Sequence, residues 1–328
     1  LGVPIVLSVL DKEAKPKRNT VAECYKQVID DLKAAITAMD NDEGKSFHKG
    51  HINLFAAQTL LSRVYLYHGD DSDALDMATQ AIKGAEAEGY KLWTNAEYAT
   101  AWGNDASNGT KGEVLFEIVN TTDDSPGKES LGRLHSPSGY KDICLTSSFY
   151  ALLNEDPDDV RLNLLEYSSK RAFVKKYQPQ DGEDIMDANI PLIRLSEAYL
   201  NAAEAAVKTG DNPSAVKYLN AIVSRANPAN SVEGSTVTLD RVMTERRKEL
   251  VGEGHRFFDA LRDGGSVDRH DVKGQSKISS TKHYITKAEK MNFSWDYYKC
   301  VLAIPKAEMD ANSNMLQNPL YDSSKDDE

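Results

Sequence analysis

The stretch Leu192-Ile-Arg-Leu-Ser-Glu-Ala-Tyr-Leu-Asn-Ala-Ala-Glu-Ala-Ala-Val-Lys-Thr-Gly-Asp211 decides the fold. Alanines and large apolar residues recur through it at the three- and four-residue steps of one helix face, so an alanine-rich helix is predicted over Leu192 to Thr209. Gly210 is its stop, and Pro213 to Arg225 reads as its partner helix. The same construction stands earlier in the chain: a helix from Asn53 to His68, Gly69, then a helix from Ser72 to Glu88. Laying Gly69-Asp70 on Gly210-Asp211 puts Leu54 on Leu195, Ala57 on Ala198, Ala74 on Ala215 and Ile82 on Val223. Helix, Gly-Asp turn, helix, with small and large positions matched, is the signature of tetratricopeptide-like hairpins. Small residues where the helices cross let them pack closely. Two hairpins are too few for a free-standing solenoid, so other parts of the chain are expected to cover them.

Outward from the hairpins, Thr20 or Asn19 can cap a first helix. Val21, Cys24, Tyr25, Val28, Ile29, Leu32, Ala35, Ile36 and Met39 would form its single buried stripe. Residues 90–190 lose helical regularity. Val114, Phe116 and Ile118 alternate with polar neighbours as a half-buried strand does, and a short helix is expected over Ser147 to Leu153. From Asn120 to Tyr140 runs a long stretch of turn formers and charges, and a loop of that length inside a compact domain is usually functional. A further helix is predicted from Asp240 to Leu250, resuming after Gly254. From His270 to Ser294 the chain is irregular and polar, Tyr297 to Ile304 reads as extended, and Pro305 opens a short helix. The acidic tail Tyr321 to Glu328 is expected to fray.

Composition narrows the function. Of the 328 residues, 40% are hydrophobic. That is enough to bury a core and to exclude disorder as the main state. With 39 basic against 51 acidic residues the net charge is −12, which disfavours nucleic-acid phosphate and anionic lipid. Mean hydropathy is −0.52, and no apolar run is long enough to span a bilayer. Cys24, Cys144 and Cys300 have neither disulfide-framework nor metal-ligand spacing and read as small buried hydrophobes. The opening Leu1-Gly-Val-Pro-Ile-Val-Leu7 has neither an initiator Met nor a leader, and reads as an internal stretch of a longer protein.

The densest ionisable cluster is Glu245, Arg246, Glu249, Glu253, His255, Arg256, Asp259 and Arg262. No HExxH motif is present, and Glu253 and His255 cannot share one helix face, so a metal or acid–base site is disfavoured. Arginine forks match carboxylates on facing helices, so this cluster is expected to form a structural ion-pair lattice, mostly buried, paired and away from the largest pocket. Glu204, on an alanine-rich face, is the expected partner of one arginine, since an unpaired carboxylate there would be costly. Signatures of a nucleophile elbow, a phosphate loop or a dinucleotide fold are absent, and no cofactor or metal is expected. Two glycosidase carboxylates need not be close in sequence, so that mechanism stays open. Trp93 and Trp102 are expected to pin a loop to the core. Sugars stack their C–H faces on aromatic rings flanked by polar groups, which makes Trp295 and the loop residues Arg133, His135 and Tyr140 the candidate ligand contacts.

Several ordered motifs then resemble one family. Pro191 to Ala205, Glu245-Arg-Arg-Lys-Glu-Leu250, Glu253-Gly-His-Arg256, Phe258-Asp259, Leu261-Arg262, Ile304-Pro305, Glu308, Asn312 and Gln317-Asn-Pro319 are similar to the C-terminal signature of the SusD/RagB family, surface nutrient-binding lipoproteins of Bacteroidetes. Asp31 to Ile36, Ala57 to Tyr67, Tyr90-Lys-Leu92 and Glu113 to Ile118 resemble its earlier helices. The resemblance implies an all-α superhelix of tetratricopeptide-like hairpins with long irregular loops, and binding of a glycan or other nutrient without cleavage. It implies a SusC-like TonB-dependent transporter as partner and an outer-membrane, surface-exposed location held by an N-terminal lipid anchor absent from this chain. One SusD-like domain over 1–328 is expected, lacking its N-terminal segment: first hairpin helices 20–89, a loop-rich insertion and candidate ligand face 90–190, a second hairpin 191–226, and the signature region 240–320. Leu320 stands where the family usually has Gly, and Cys24, preceded by Ala22-Glu23 in a helix stripe, is no lipobox cysteine. The alternatives are a tetratricopeptide adaptor docking proteins in its groove, and a glycoside hydrolase with unrecognised carboxylates.

Overall fold

The computed structural model describes residues 1–42, 48–103, 111–179, 184–274, 276–278 and 292–321. Its helices are α1 (Val21–Asp40), α2 (Leu54–His68), α3 (Asp71–Ala87), the short α4 (Leu131–Leu134) and α5 (Ser147–Leu153), then α6 (Leu195–Lys208), α7 (Asn212–Ala226), α8 (Leu239–Glu249), α9 (Arg256–Leu261) and α10 (Lys306–Ala311). Among the described residues, three antiparallel two-stranded ribbons complete the regular structure. They pair β1 (Val114–Ile118) with β4 (Ile190–Arg194), β2 (Leu165–Ser168) with β3 (Arg171–Val174), and β5 (Ser266–Asp268) with β6 (Asn292–Ser294). The protein is thus mostly helical, a tetratricopeptide-like stack.

The two hairpins have the same local cause. Asn53 caps α2 by accepting from the Ala56 amide at 3.0 Å, as an N-cap side chain does. Gly69 at φ 94° and Gly210 at φ 78° take the left-handed conformation. It ends α2 and finishes the turn after α6, where a side chain would be strained. Each chain then reverses into its partner. α2 packs on α3, α3 on α6, α6 on α7 and on α8, so the second hairpin continues the stack of the first. Ala56, Ala78, Ala81, Ala85, Ala198, Ala202 and Ala206 are fully buried at these crossings, with Leu195, Leu200, Leu219 and Ile222 filling the space beside them. Alanine at a crossing brings the axes close, and each fully buried leucine or isoleucine beside it contributes roughly 1.5–3 kcal/mol.

Several expectations need correction. α1 starts at the Thr20 capping box, with the Glu23 amide donating to Thr20 Oγ1 at 3.1 Å and the Thr20 amide to Glu23 at 2.8 Å. Its stripe is only half-buried, however, and Val21 and Val28 are exposed, because α1 is the outer helix of the stack and its principal helical neighbour is α2. The alanine-rich helix begins at Leu195 rather than Leu192, since Ile190–Arg194 is drawn into strand pairing with β1 in the register Val114↔Arg194 and Ile118↔Ile190. Tyr297 to Ile304 is no strand: a single helical turn, Tyr298–Cys300, interrupts it. All three cysteines are half-buried rather than buried. Part of the polar stretch 270–294, and the tail beyond Tyr321, lie outside the described residues.

Candidate functional site

The loop-rich middle of the chain meets the second hairpin through a buried charge lattice. The β1–β4 pairing sets Arg194 beside Glu113, and the Leu195 amide donates to the Glu113 carbonyl at 2.8 Å. Arg194 donates to Glu113 at 2.5 Å, to Glu253 at 2.8 Å and to Glu249 at 3.2 Å, while Arg225 reaches Glu113 at 3.1 Å and Glu249 at 2.8 Å. Arg161 forks onto Asp159 at 2.8 and 2.5 Å and meets Glu245 at 2.6 Å. The Glu245 contact lacks the alignment of a hydrogen bond, so there charge faces charge. Lys176 donates to Glu253 at 2.5 Å, and it and Arg194 both stand 4.8 Å from the Trp102 ring centroid. Trp93, Tyr98 and Trp102 are buried edge-to-face beneath this lattice, holding residues 93–102 to the core as the sequence predicts.

Burial by itself would push the Glu249 carboxyl up, but Arg225, Arg194, Arg161 and Lys176 together hold it well below the ordinary carboxylate value. Glu249 therefore stays ionised. A second layer lies behind the lattice. Glu197 accepts a bidentate pair from Arg63 at 2.5 and 2.7 Å, which outweighs burial and brings its carboxyl down to about 2. Glu204 pairs with Arg262, and Asp259 with Arg246 and Arg262 at 3.3 and 3.0 Å. Arg246 also donates to Asn201 at 2.7 Å.

Two residues expected in this lattice stand apart. His255 is buried among Glu197, Arg63 and Arg246, and burial lowers its basicity, so at neutral pH it carries no charge and joins no ion pair among the described residues. Arg256 is exposed. It sits one position from His255, about 100° around the helix. Its side chain therefore leaves the buried face and makes no ion pair or side-chain hydrogen bond among the described residues.

The cavities lie on the outer side of these helices. At the end of α9 the chain turns sharply, because a Cβ on Gly265 would meet the Ala260 carbonyl oxygen at 2.4 Å, an approach open only to glycine. The Gly265 carbonyl then accepts from the Trp295 amide at 3.0 Å, which starts the β5–β6 ribbon in the register Ser266↔Ser294, Val267↔Phe293 and Asp268↔Asn292. On one side of this ribbon is an open groove of about 830 Å³ lined by Phe293, Tyr297 and Tyr298 with Asn292, Ser294 and Asp296. The rings run on in succession, Phe293 to Tyr297 at 5.6 Å, Tyr297 to Tyr298 at 5.3 Å and Tyr298 to Tyr321 at 5.1 Å. Aromatic faces beside amide, hydroxyl and carboxylate groups are the combination that stacks on and hydrogen-bonds a sugar.

On the other side is a cleft of about 440 Å³ between α5, α8, α9 and β5, floored by Leu145, Phe149, Val174 and Val251, with Arg247, Arg256 and Arg269 on its walls. A third cavity, about 360 Å³, reaches Arg63, Tyr67, Glu253 and His255. The lattice carboxylates are buried except Glu253, which is half-buried and lines the third cavity, and the largest of these three cavities uses none of them. The helices that carry them nevertheless border the two smaller ones, so the cluster is less remote from open space than expected.

Of the loop residues singled out from sequence, His135 is buried against Tyr177 and lines the arginine cleft. Burial and Lys176 lower its basicity to about 4. Arg133 is half-buried and Tyr140 is 47% exposed; they are joined through the Tyr140 amide and the Arg133 carbonyl at 3.1 Å, and neither lines any of the three cavities. Trp295, 59% exposed, stands beside Gly264 on the turn that carries the aromatic groove. Structure thus brings His135 and Trp295 to the two sides of one ribbon and leaves Arg133 and Tyr140 outside. Sequence reading missed Phe293, Tyr297, Tyr298, Arg247 and Arg269; the Tyr297-Tyr298 pair beside Trp295 was the available signal. Among the described residues no group of three or more His, Cys, Asp or Glu is placed to hold a metal ion.

Comparison with known proteins decides the family. The profile of the SusD family matches residues 139–321, more than half of the chain. The chain belongs to the SusD family. A second SusD-like profile, described as starch-binding and associating with the outer membrane, matches residues 2–66. Among solved structures, a candidate sugar-binding protein of Bacteroides vulgatus is 62% identical with a TM-score of 0.93, over 98% of this chain and 70% of that one. A SusD superfamily protein of the same species is 38% identical with a TM-score of 0.84, over 97% and 70%. The starch-binding protein SusD of Bacteroides thetaiotaomicron is 33% identical over 138 residues, 41% of this chain and 22% of that protein. The chain therefore spans about a fifth of the curated relative by matched length and 70% of the solved relatives. In this chain the Glu245–Arg262 ion pairs lie among the stacked helices, and the β5–β6 ribbon borders the aromatic groove and the arginine cleft.

Proposed function

We propose that this chain is a glycan-binding protein of the cell surface that holds its ligand on the aromatic groove of the β5–β6 ribbon and does not cleave it. The observation that carries the reading is that groove itself: the successive rings of Phe293, Tyr297 and Tyr298 flanked by Asn292, Ser294 and Asp296. Trp295 extends the platform at its rim, and His135 stands in the adjoining cleft. The names of the relatives, starch-binding and sugar-binding, point the same way. Glycan held there would be delivered to a SusC-like TonB-dependent transporter, with the protein kept at the outer membrane by a lipid anchor. No described helix is long and apolar enough to cross a membrane. The whole chain acts as one SusD-like domain in this reading.

Non-catalytic binding is supported by where the acids are. The carboxylates nearest His255, Glu197 and Glu253, are committed to Arg63 and to Arg194 with Lys176, and held ionised. A general acid must be protonated at working pH. Isothermal titration against a panel of plant, host and microbial glycans tests the binding, and a peptide library run in parallel tests the adaptor alternative. At least one glycan is expected to bind, with no reducing ends released on prolonged incubation. Peptide binding without glycan binding, or product above a buffer control, would overturn the reading. Recovery with a TonB-dependent transporter from outer-membrane fractions tests the partner. Single alanine variants of Arg133, His135, Tyr140 and Trp295 test the loop and rim contacts, with affinity lost at Trp295 first.

A further inference from the structure

The arginine cleft lies behind the aromatic groove, and the two share a wall: Val267 and Asp268 line both. Its charge runs against that of the whole molecule. The chain carries −12 overall, yet the cleft lining has Arg247, Arg256 and Arg269 against one carboxylate, Asp268. The buried arginines Arg161, Arg194, Arg225 and Arg246 are spent on carboxylates, whereas the half-buried Arg247 and the exposed Arg256 make no ion pair or side-chain hydrogen bond among the described residues. Arg247 stacks its guanidinium 5.8 Å from the Phe149 ring centroid, and Arg269 stacks on Phe293 of the groove at 5.4 Å. Burial, and then the repulsion of Arg256, push Arg247 below the ordinary guanidinium range. Asp268 and Asp259 are the facing acids. Asp268 has His270 at 3.4 Å, and Asp259 is taken by Arg246 and Arg262.

Arg247 and Arg256, neither with an ion-pair partner among the described residues, repel one another beside an apolar floor, and an anion bound next to them would relieve that repulsion. A guanidinium fork matches a carboxylate or a sulfate in two parallel hydrogen bonds. The floor of Leu145, Phe149, Val174 and Val251 suits a group with an apolar body rather than a bare ion, and the hydroxyls of Thr146 and Ser148 stand at the same cleft. Building on the glycan-binding reading, we infer that this cleft takes the acid group, carboxylate or sulfate, of a saccharide whose neighbouring rings lie on the aromatic groove. The protein then selects acidic glycans over their neutral counterparts.

Titration of the full chain with matched pairs tests this: oligogalacturonate against its carboxyl-reduced form, and sulfated chondroitin oligosaccharide against its desulfated form. The acidic member of at least one pair is expected to bind about tenfold tighter or better at low salt, with the advantage shrinking as salt rises. Which pair shows it separates carboxylate from sulfate. In the double variant Arg247→Gln, Arg256→Gln the acid-to-neutral ratio is expected to fall to about one, and the Arg247→Lys, Arg256→Lys pair to keep part of it. Equal binding of acidic and neutral members, or a preference that survives the glutamine variant, overturns the acidic selectivity and leaves glycan binding standing. Failure of both pairs and of the whole glycan panel removes the glycan reading and this inference with it.

Discussion

Replacing Glu249 with alanine is expected to destabilise the protein by about 3–5 kcal/mol, the cost of breaking a buried ion pair from one side, and in a marginal background to prevent folding. Glu249 is fully buried and is the shared acceptor for Arg194, Arg225 and Arg161, so its removal leaves three guanidiniums in low dielectric with one carboxylate fewer between them. Urea unfolding followed by circular dichroism checks it. Lys306→Ala is the control, because its partner Asp310 sits at 2.9 Å on an exposed helix. Such a pair is worth about 0.2–1 kcal/mol. Should the alanine variant fail to fold, Tyr98→Phe removes only the hydroxyl that donates to Glu249 at 3.3 Å. That loss is expected to cost about 1 kcal/mol. A Glu249→Ala shift no larger than that of Lys306→Ala would mean the lattice holds nothing together.

Acid should unfold the protein in two windows. His135 protonates near 6.5 in an open chain but near 4 when folded, because burial and Lys176 oppose its charge, and His255 is lowered in the same direction. Between those values the unfolded chain binds the proton and the folded one does not, so stability is full above about pH 6.5 and falls as pH drops toward 4. The slope is about 1.4 kcal/mol per pH unit for His135. The carboxylates act lower. Glu197 moves from 4.5 to about 2, and Glu249, Glu253, Glu245, Glu204 and Asp259 are lowered too, so their contribution is present above their unfolded values and is lost as pH falls toward about 2. Urea midpoints measured from pH 7 to 3 should decline from the first step. His135→Asn should reduce the upper decline, leaving the share of His255, and should not change the lower one. A midpoint constant from pH 7 to 4.5 in the parent protein contradicts the account.

The hairpins were legible because glycine and alanine act locally: Gly69 and Gly210 end helices by backbone conformation, and alanines mark crossings wherever they recur at helical steps. β4 was not, because Leu192 and Ile193 fit a helical period as well as a strand, and only pairing with the distant β1 decides between them. The lattice was half legible. Runs such as Glu245 to Arg262 announce paired charges, but Glu113, Arg161, Lys176, Arg194 and Arg225 come from separate segments and are gathered only by the fold. The same run hid Arg256, since a buried guanidinium and one facing a cleft look alike in sequence and differ by one position on a helix. The aromatic groove was the least legible part, apart from Trp295. Its rings sit in an irregular segment with no period to read, and a ribbon sealed by Gly265 brings them together.

Glycan binding on the aromatic groove is tested most directly by calorimetric titration of one bound glycan into the parent protein, the Tyr297→Ala, Tyr298→Ala double variant and Trp295→Ala. The prediction is measurable binding to the parent, with affinity falling about thirtyfold in the double variant and less in Trp295→Ala, as expected when central aromatic anchors are truncated. Full affinity in the double variant, with its fold intact by circular dichroism, would contradict it.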